Sequence, residues 1–148
     1  MCIRDRFSSE HRTKLEIAIA PVLELLKASL ESAGKDVRRV MNPTIADPVT
    51  GAVAVQVLQD ASKELKRGSE AVIGLNKKTK GTPYAFVGLR LESIRTADVA
   101  PAWDNVRKAI DNDGELRLNH SSTAWNHINR ALGTLAKLEE KYEQVKRN

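Results

Sequence analysis

Ile19, Leu23, Leu26, Leu30, Ala33, Val37 and Val40 recur at spacings of four, three, four, three, four and three. On a helix of about 3.6 residues per turn, that alternation keeps every member on one narrow stripe. A strand would scatter the same residues over both of its faces. The stretch from about Ser9 to Met41 is therefore expected to be a single long helix with a seam for partner helices. Pro21 lies inside it. Its missing N–H and its clash with the Ile17 carbonyl predict a kink there.

Three further stretches carry the same kind of period. The second opens at Asp47-Pro48, a good N-cap followed by a residue suited to the first helical position. Gly51, Ala54, Leu58, Ala61, Leu65, Gly68, Val72 and Leu75 then alternate by three and four. The third, about Pro83 to Asn112, holds two seams: Val87, Leu91, Ile94, and then Val99, Trp103, Val106, Ile110. They are offset at Ala97–Pro101, where Pro101 is expected to kink or break the helix. The fourth runs from Ser121 or Ser122, suitable N-caps, to about Arg147. Its seam is Trp125, Ile128, Leu132, Leu135, Leu138, Tyr142 and Val145. Asn42–Ala46, Asn76–Thr82 and Asp113–His120 are short and rich in turn formers, so they read as the connections.

The expected fold is all-α, an antiparallel up-down four-helix bundle with proline kinks in helices 1 and 3. Only 4% of residues are aromatic. A core built from Leu, Val, Ile and Ala favours close helix packing over a β-sandwich. One alternative stands beside it. Lys66-Arg67-Gly68 also resembles a helix C-terminus. An α+β fold with a hairpin at about 71–91 would follow, with strands at Ala71–Leu75 and Tyr84–Leu91. Leu26, Leu30, Leu58, Leu65, Trp103, Ile128 and Leu135 are the expected core. Trp103 and Trp125 are expected to pack across helices 3 and 4.

Met1-Cys2-Ile3-Arg4-Asp5-Arg6 is the in-frame translation of ATG TGT ATA AGA GAC AG, which looks like the end of a transposase adapter used in making sequencing libraries. These six residues are expected to be an artefact. A single helical domain over 7–148 then remains, truncated at its N-terminus. The one cysteine, Cys2, belongs to the adapter-like segment, so neither a disulfide framework nor a thiolate metal site is expected. The longest stretch without a charge is the 12 residues from Pro48 to Gln59. A membrane span needs roughly 20 apolar residues, so none is expected, and the cytoplasm is the expected compartment.

Charge is the asymmetric feature. The chain carries a net charge of +5. Residues 61–95 hold 8 basic and 3 acidic side chains, whereas residues 7–60 hold 6 and 7. In an up-down bundle the start of helix 1, the loop between helices 2 and 3 and the end of helix 4 share one end. Lys66, Arg67, Lys77, Lys78 and Lys80 are accordingly the candidate polyanion-binding residues, with Arg12, Lys14, Lys146 and Arg147 nearby. No aromatic platform interleaves the lysines, so single-strand stacking has little support. Lysine-rich loops also serve simply as solvated surface.

Other motifs fail on inspection. Asp111-Asn112-Asp113-Gly114-Glu115 resembles part of a calcium loop. Aligning Gly114 with the loop's glycine puts Ala109 and His120 at the first and last ligand positions, so it reads as a turn. Ser32-Ala33-Gly34-Lys35 matches Ser-x-x-Lys without its companion motifs. The glycines match no phosphate-cradling pattern. His11, His120 and His127 lack metal-ligand spacing and read as surface or capping residues. Polar residues crowd Ser121–Arg130 as they do at the start of a DNA-recognition helix. Trp125 and Ile128 are better used there as core. No catalytic residue and no cofactor is expected. The expected function is a non-enzymatic helical interaction or assembly module, of the sort found in phage or bacterial structural components, with a protein partner or a second copy as its target. The second expectation is a nucleic-acid-binding accessory protein that uses the basic end.

Overall fold

The computed structural model describes residues 8–148; the adapter-like Met1–Arg6 lie outside them. The chain forms α1 (Ser9–Met41), α2 (Gly51–Val72), the single-turn α3 (Leu75–Thr79), α4 (Ala85–Ile94), a π-helical turn (Arg95–Val99), α5 (Ala100–Asp111) and α6 (Gly114–Arg147). The described residues form an all-α bundle and contain no strand, so residues 71–91 are not a hairpin.

Ser8 starts α1: its Oγ accepts the His11 N–H at 3.1 Å. Arg38 and Arg39 in the last turn complement the negative end of the helix dipole. The helix continues through Pro21, which is exposed. Water can therefore reach the carbonyl that the ring deprives of its donor. Asp47 does not cap α2. Its carboxylate is taken by Arg39, which donates from Nε at 2.9 Å and Nη2 at 3.0 Å. This two-point, charge-assisted fork engages both carboxylate oxygens. Thr50 takes the N-cap position and α2 opens at Gly51.

The expected seam of α2 runs on through Gly68, which is buried inside the helix. A Cβ there would stand 3.2 Å from Leu26 Cδ1 and Ser29 Cβ. Its smallness lets α1 and α2 approach, and Lys66-Arg67-Gly68 does not end the helix. The break comes later, at Ile73-Gly74, where Gly74 has φ of +91°. That left-handed conformation suits glycine alone. Part of the expected loop Asn76–Thr82 is thus helical, as α3.

α4, the π turn and α5 follow one another without interruption. The two seams expected here are separated by a step of five, Ile94 to Val99. A π turn bonds i to i+5, so it absorbs the extra residue and brings both seams to the same core. Ile94 and Val99 are both buried. Pro101 does not break the rod: it follows directly on the π turn, one of the local departures from i to i+4 bonding at which a helix accommodates a missing amide donor.

α6 begins at Gly114, two turns before the expected start. Ser121 is not a cap but a buried mid-helix residue. Arg117 Nε donates to the Ala109 carbonyl at 2.9 Å and ties the first turns of α6 to the end of α5.

α1 packs against α2 and α6, and α5 packs against the same two, which closes a four-membered ring. Arg12 reaches Val145, while Gly34 meets Ile128. Asp98 pairs with His127, and Asn105 with His120. Residue numbers rise on one side as they fall on the other, so α6 runs antiparallel both to α1 and to the α4–α5 rod. Leu26, Leu30, Leu58, Leu65, Ile128 and Leu135 are buried as expected. Trp103 is only partly buried. Its Nε1 donates to Ser62 Oγ on α2 at 2.8 Å, so it does not serve simply as core between helices 3 and 4.

Candidate functional site

The five basic residues singled out in the sequence are all exposed. Lys77 and Lys78 lie on α3 and Lys80 follows it. Lys66 and Arg67 precede the Gly74 break on α2, and Lys66 stands 4.0 Å from Glu70. Among the described residues, Arg67, Lys77, Lys78 and Lys80 make no ion pair within 4.0 Å.

The end of the bundle beside α3 is tightly built. Tyr84 is buried, and its hydroxyl donates to Glu16 Oε2 at 2.5 Å. The Arg12 guanidinium lies 5.9 Å from the Tyr84 ring centroid and donates to the Val145 and Lys146 carbonyls at 3.0 and 2.7 Å. The start of α1, the corner after α3 and the end of α6 thus meet. Arg12 is spent in holding them together and is not a free cation of the basic end. The Tyr84 and Tyr142 rings tilt against each other at 5.4 Å. Burial pushes the Tyr142 hydroxyl up to about 12, with the Glu16 charge adding to the effect.

A groove of about 610 Å³ opens between α4 and α6. One wall is Phe86, Leu89, Arg90 and Ser93; the other is Thr134, Lys137, Leu138 and Lys141. Each wall is the same i, i+3, i+4, i+7 stripe, which places four residues on one helix face. The groove exists because α5 packs closely on α6 while α4 stands off from it. Its lining is about equally polar and apolar; Phe86, Leu89 and Leu138 supply the apolar part, and Leu89 is 61% exposed. Lys141 Nζ sits 4.6 Å from the Phe86 ring centroid. No lining residue is acidic, and among the described residues Arg90, Lys137 and Lys141 make no ion pair. The sequence pointed to Arg90 only as part of the surplus and missed Lys137 and Lys141. The signal for the groove is a second stripe beside each core seam, and it acquires meaning once α4 is known to face α6.

The π turn carries a second cluster. Asp98 is buried at 4% exposure. Its Oδ1 lies 2.9 Å from His127 Nδ1 and 3.8 Å from Arg130 Nη1. His127 is therefore not a surface or capping residue but the partner of a buried carboxylate. A carboxylate at Nδ1 fixes the orientation of the imidazole. His120 Nδ1 lies 3.4 Å from Asn105 Oδ1, again a side-chain partner rather than a cap. Ser121–Arg130 sits inside α6 and does not present a helix start. Among the described residues, no group of three or more His, Cys, Asp or Glu is placed to hold a metal ion. No helix among them is long and apolar enough to cross a membrane.

No family model, no curated protein and no solved structure matches the chain.

Proposed function

We propose that this chain is a non-enzymatic helical interaction and assembly module whose contact face is the groove between α4 and α6. The observation that carries this reading is Leu89. It lies more than half open in the groove, beside Phe86 and Leu138 and three cations that make no ion pair among the described residues. Apolar surface gathered in a concave face and rimmed by charge is what contact sites offer a partner. Burying it removes water from Leu89 and Phe86, and the cations set which partner is accepted.

The test uses 1-anilinonaphthalene-8-sulfonate, an aryl sulfonate that needs both an apolar contact and a cation. The folded protein should bind it with enhanced fluorescence, and Leu89→Glu should abolish the enhancement without loss of helicity. A native protein that leaves the dye dark would sink the reading.

The basic tip supports a second reading, engagement of a polyanion such as duplex DNA. Its observation is the exposure of Lys77, Lys78 and Lys80 within four residues of one another, none of them ion-paired. Phosphate contacts of this kind bind without regard to sequence.

A further inference from the structure

We propose that the α4–α6 groove receives the outer face of α1 from a second copy of this chain, so that copies join head to tail. The proposal rests on the groove being a contact face and names what occupies it. The outer face of α1 is a heptad-spaced stripe that includes Ile17, Pro21, Glu24, Ala28 and Glu31, all exposed. Ile17 is 67% exposed. Among the described residues, neither Glu24 nor Glu31 makes an ion pair. The stripe therefore pairs an apolar knob with two free carboxylates. The groove pairs Leu89 and Phe86 with Arg90 and Lys137, neither of them in an ion pair among the described residues, and with Lys141, whose ammonium lies over the Phe86 ring.

Each groove wall runs from i to i+7, about 10 Å of helix at about 1.5 Å per residue, which is the separation of Ile17 from Glu24 and of Glu24 from Glu31, so the groove takes one such pair at a time. A helix docks in such a groove without asking it for backbone partners, because its own N–H and C=O groups are already paired. A phosphate backbone would leave Leu89 and the half-buried Phe86 wet, which favours a helix over a nucleic acid as occupant.

The donor stripe lies on α1 and the acceptor groove lies between α4 and α6, so the two faces are different surfaces. Such a heterologous contact does not close on itself in a pair; it propagates into a ring or an open chain.

Charge exchange tests this. Sedimentation velocity at low salt should show wild-type association that grows with concentration and weakens as salt is added, since the pairs are solvent-accessible. Lys137→Glu/Lys141→Glu and Glu24→Lys/Glu31→Lys should each associate at least tenfold more weakly alone. An equimolar mixture of the two variants should recover association, because each reversed face then meets a complementary one. Recovery on mixing cannot come from misfolding. A wild type that stays monomeric up to about 1 mM, or a mixture that stays monomeric, would overturn the proposal. If the dye binds in the groove and copies do not associate, the groove remains a contact face and only the choice of a second copy fails. If duplex DNA binds and Leu89→Glu does not disturb it, the groove is not its site.

Discussion

His127 Nδ1 stands 2.9 Å from Oδ1 of Asp98, a buried carboxylate held out on a π turn toward α6. The two residues lie 29 positions apart, and without His127 the carboxylate would keep only Arg130, at 3.8 Å and largely exposed. His127→Ala should therefore cost roughly 1–3 kcal/mol, the desolvation left uncompensated when one partner of a buried pair is removed. Asp98→Leu combined with His127→Leu should recover much of that loss, because no buried polar atom is then orphaned. Urea unfolding of both variants checks the pair; equal losses would mean that the pairing is incidental.

Two glycines should respond with opposite signs. A Cβ on Gly88 would lie 2.5 Å from Asn76 Cα and would also collide with Thr79 Oγ1, so α3 can dock on α4 only across a glycine. Gly88→Ala should destabilise by about 1–3 kcal/mol, as overpacking does. Gly133 is a helical glycine of α6 with nothing within 4 Å of a Cβ. Gly133→Ala should stabilise by about 0.5–1 kcal/mol. Thermal melts of the two proteins should move to either side of wild type.

Leu30 is 1% exposed at the centre of the α1 seam. Leu30→Ala should cost about 2–5 kcal/mol through reduced burial and a cavity. Leu89→Ala should leave unfolding unchanged within about 0.5 kcal/mol, since that side chain is already in water. Denaturant midpoints of the two variants make the contrast.

Tyr142 contributes to alkaline stability. Its hydroxyl is buried without a hydrogen-bond partner, and burial with the nearby Glu16 charge raises it to about 12. An unfolded tyrosine ionises near about 10. Between those values the unfolded chain loses its proton first, so the stability is intact below about pH 10 and is lost as pH climbs toward 12. Tyr142→Phe should flatten that decline. At neutral pH it should be neutral or stabilising by up to about 1 kcal/mol, because an unpaired buried hydroxyl is removed. Circular dichroism of both proteins from pH 8 to pH 12 reads the difference.

The basic tip has its own signature. Changing Lys77, Lys78 and Lys80 to Gln should weaken duplex DNA binding equally for all sequences. It should also flatten the salt dependence by about 0.9 in the log–log slope for every phosphate that the variant no longer neutralises. Identical slopes for the two proteins would leave these lysines as solubilising surface.

The parts of the fold that were legible in the sequence are those where burial repeats along one helix. The Ile19–Val40 seam located α1 to the residue, and six of the seven expected core residues are buried. The start of α6 was not legible. Leu116 and Leu118 there are exposed, so no seam marks the first turns, and the Asn-Asp-Gly composition before them reads as loop. The Asp47 cap was misjudged because its competitor, Arg39, sits on the preceding helix, and local spacing does not reveal that competition. The step of five from Ile94 to Val99 was visible as an offset. Its resolution by a π turn depends on both halves needing the same core. The groove and the Asp98–His127 pair join segments about 30–50 residues apart, and only the packing of α6 against the rod brings them together.

The π turn also makes one residue of the rod expendable. It is the extra residue that lengthens the step from Ile94 to Val99 to five, and the i to i+5 bonding absorbs it. Removing Arg95, Thr96 or Ala97 would shorten that step to four, the spacing at which an ordinary α-helix keeps two residues on one face. The rod would then run on as plain α-helix with Val99 and Val106 still turned to the interior.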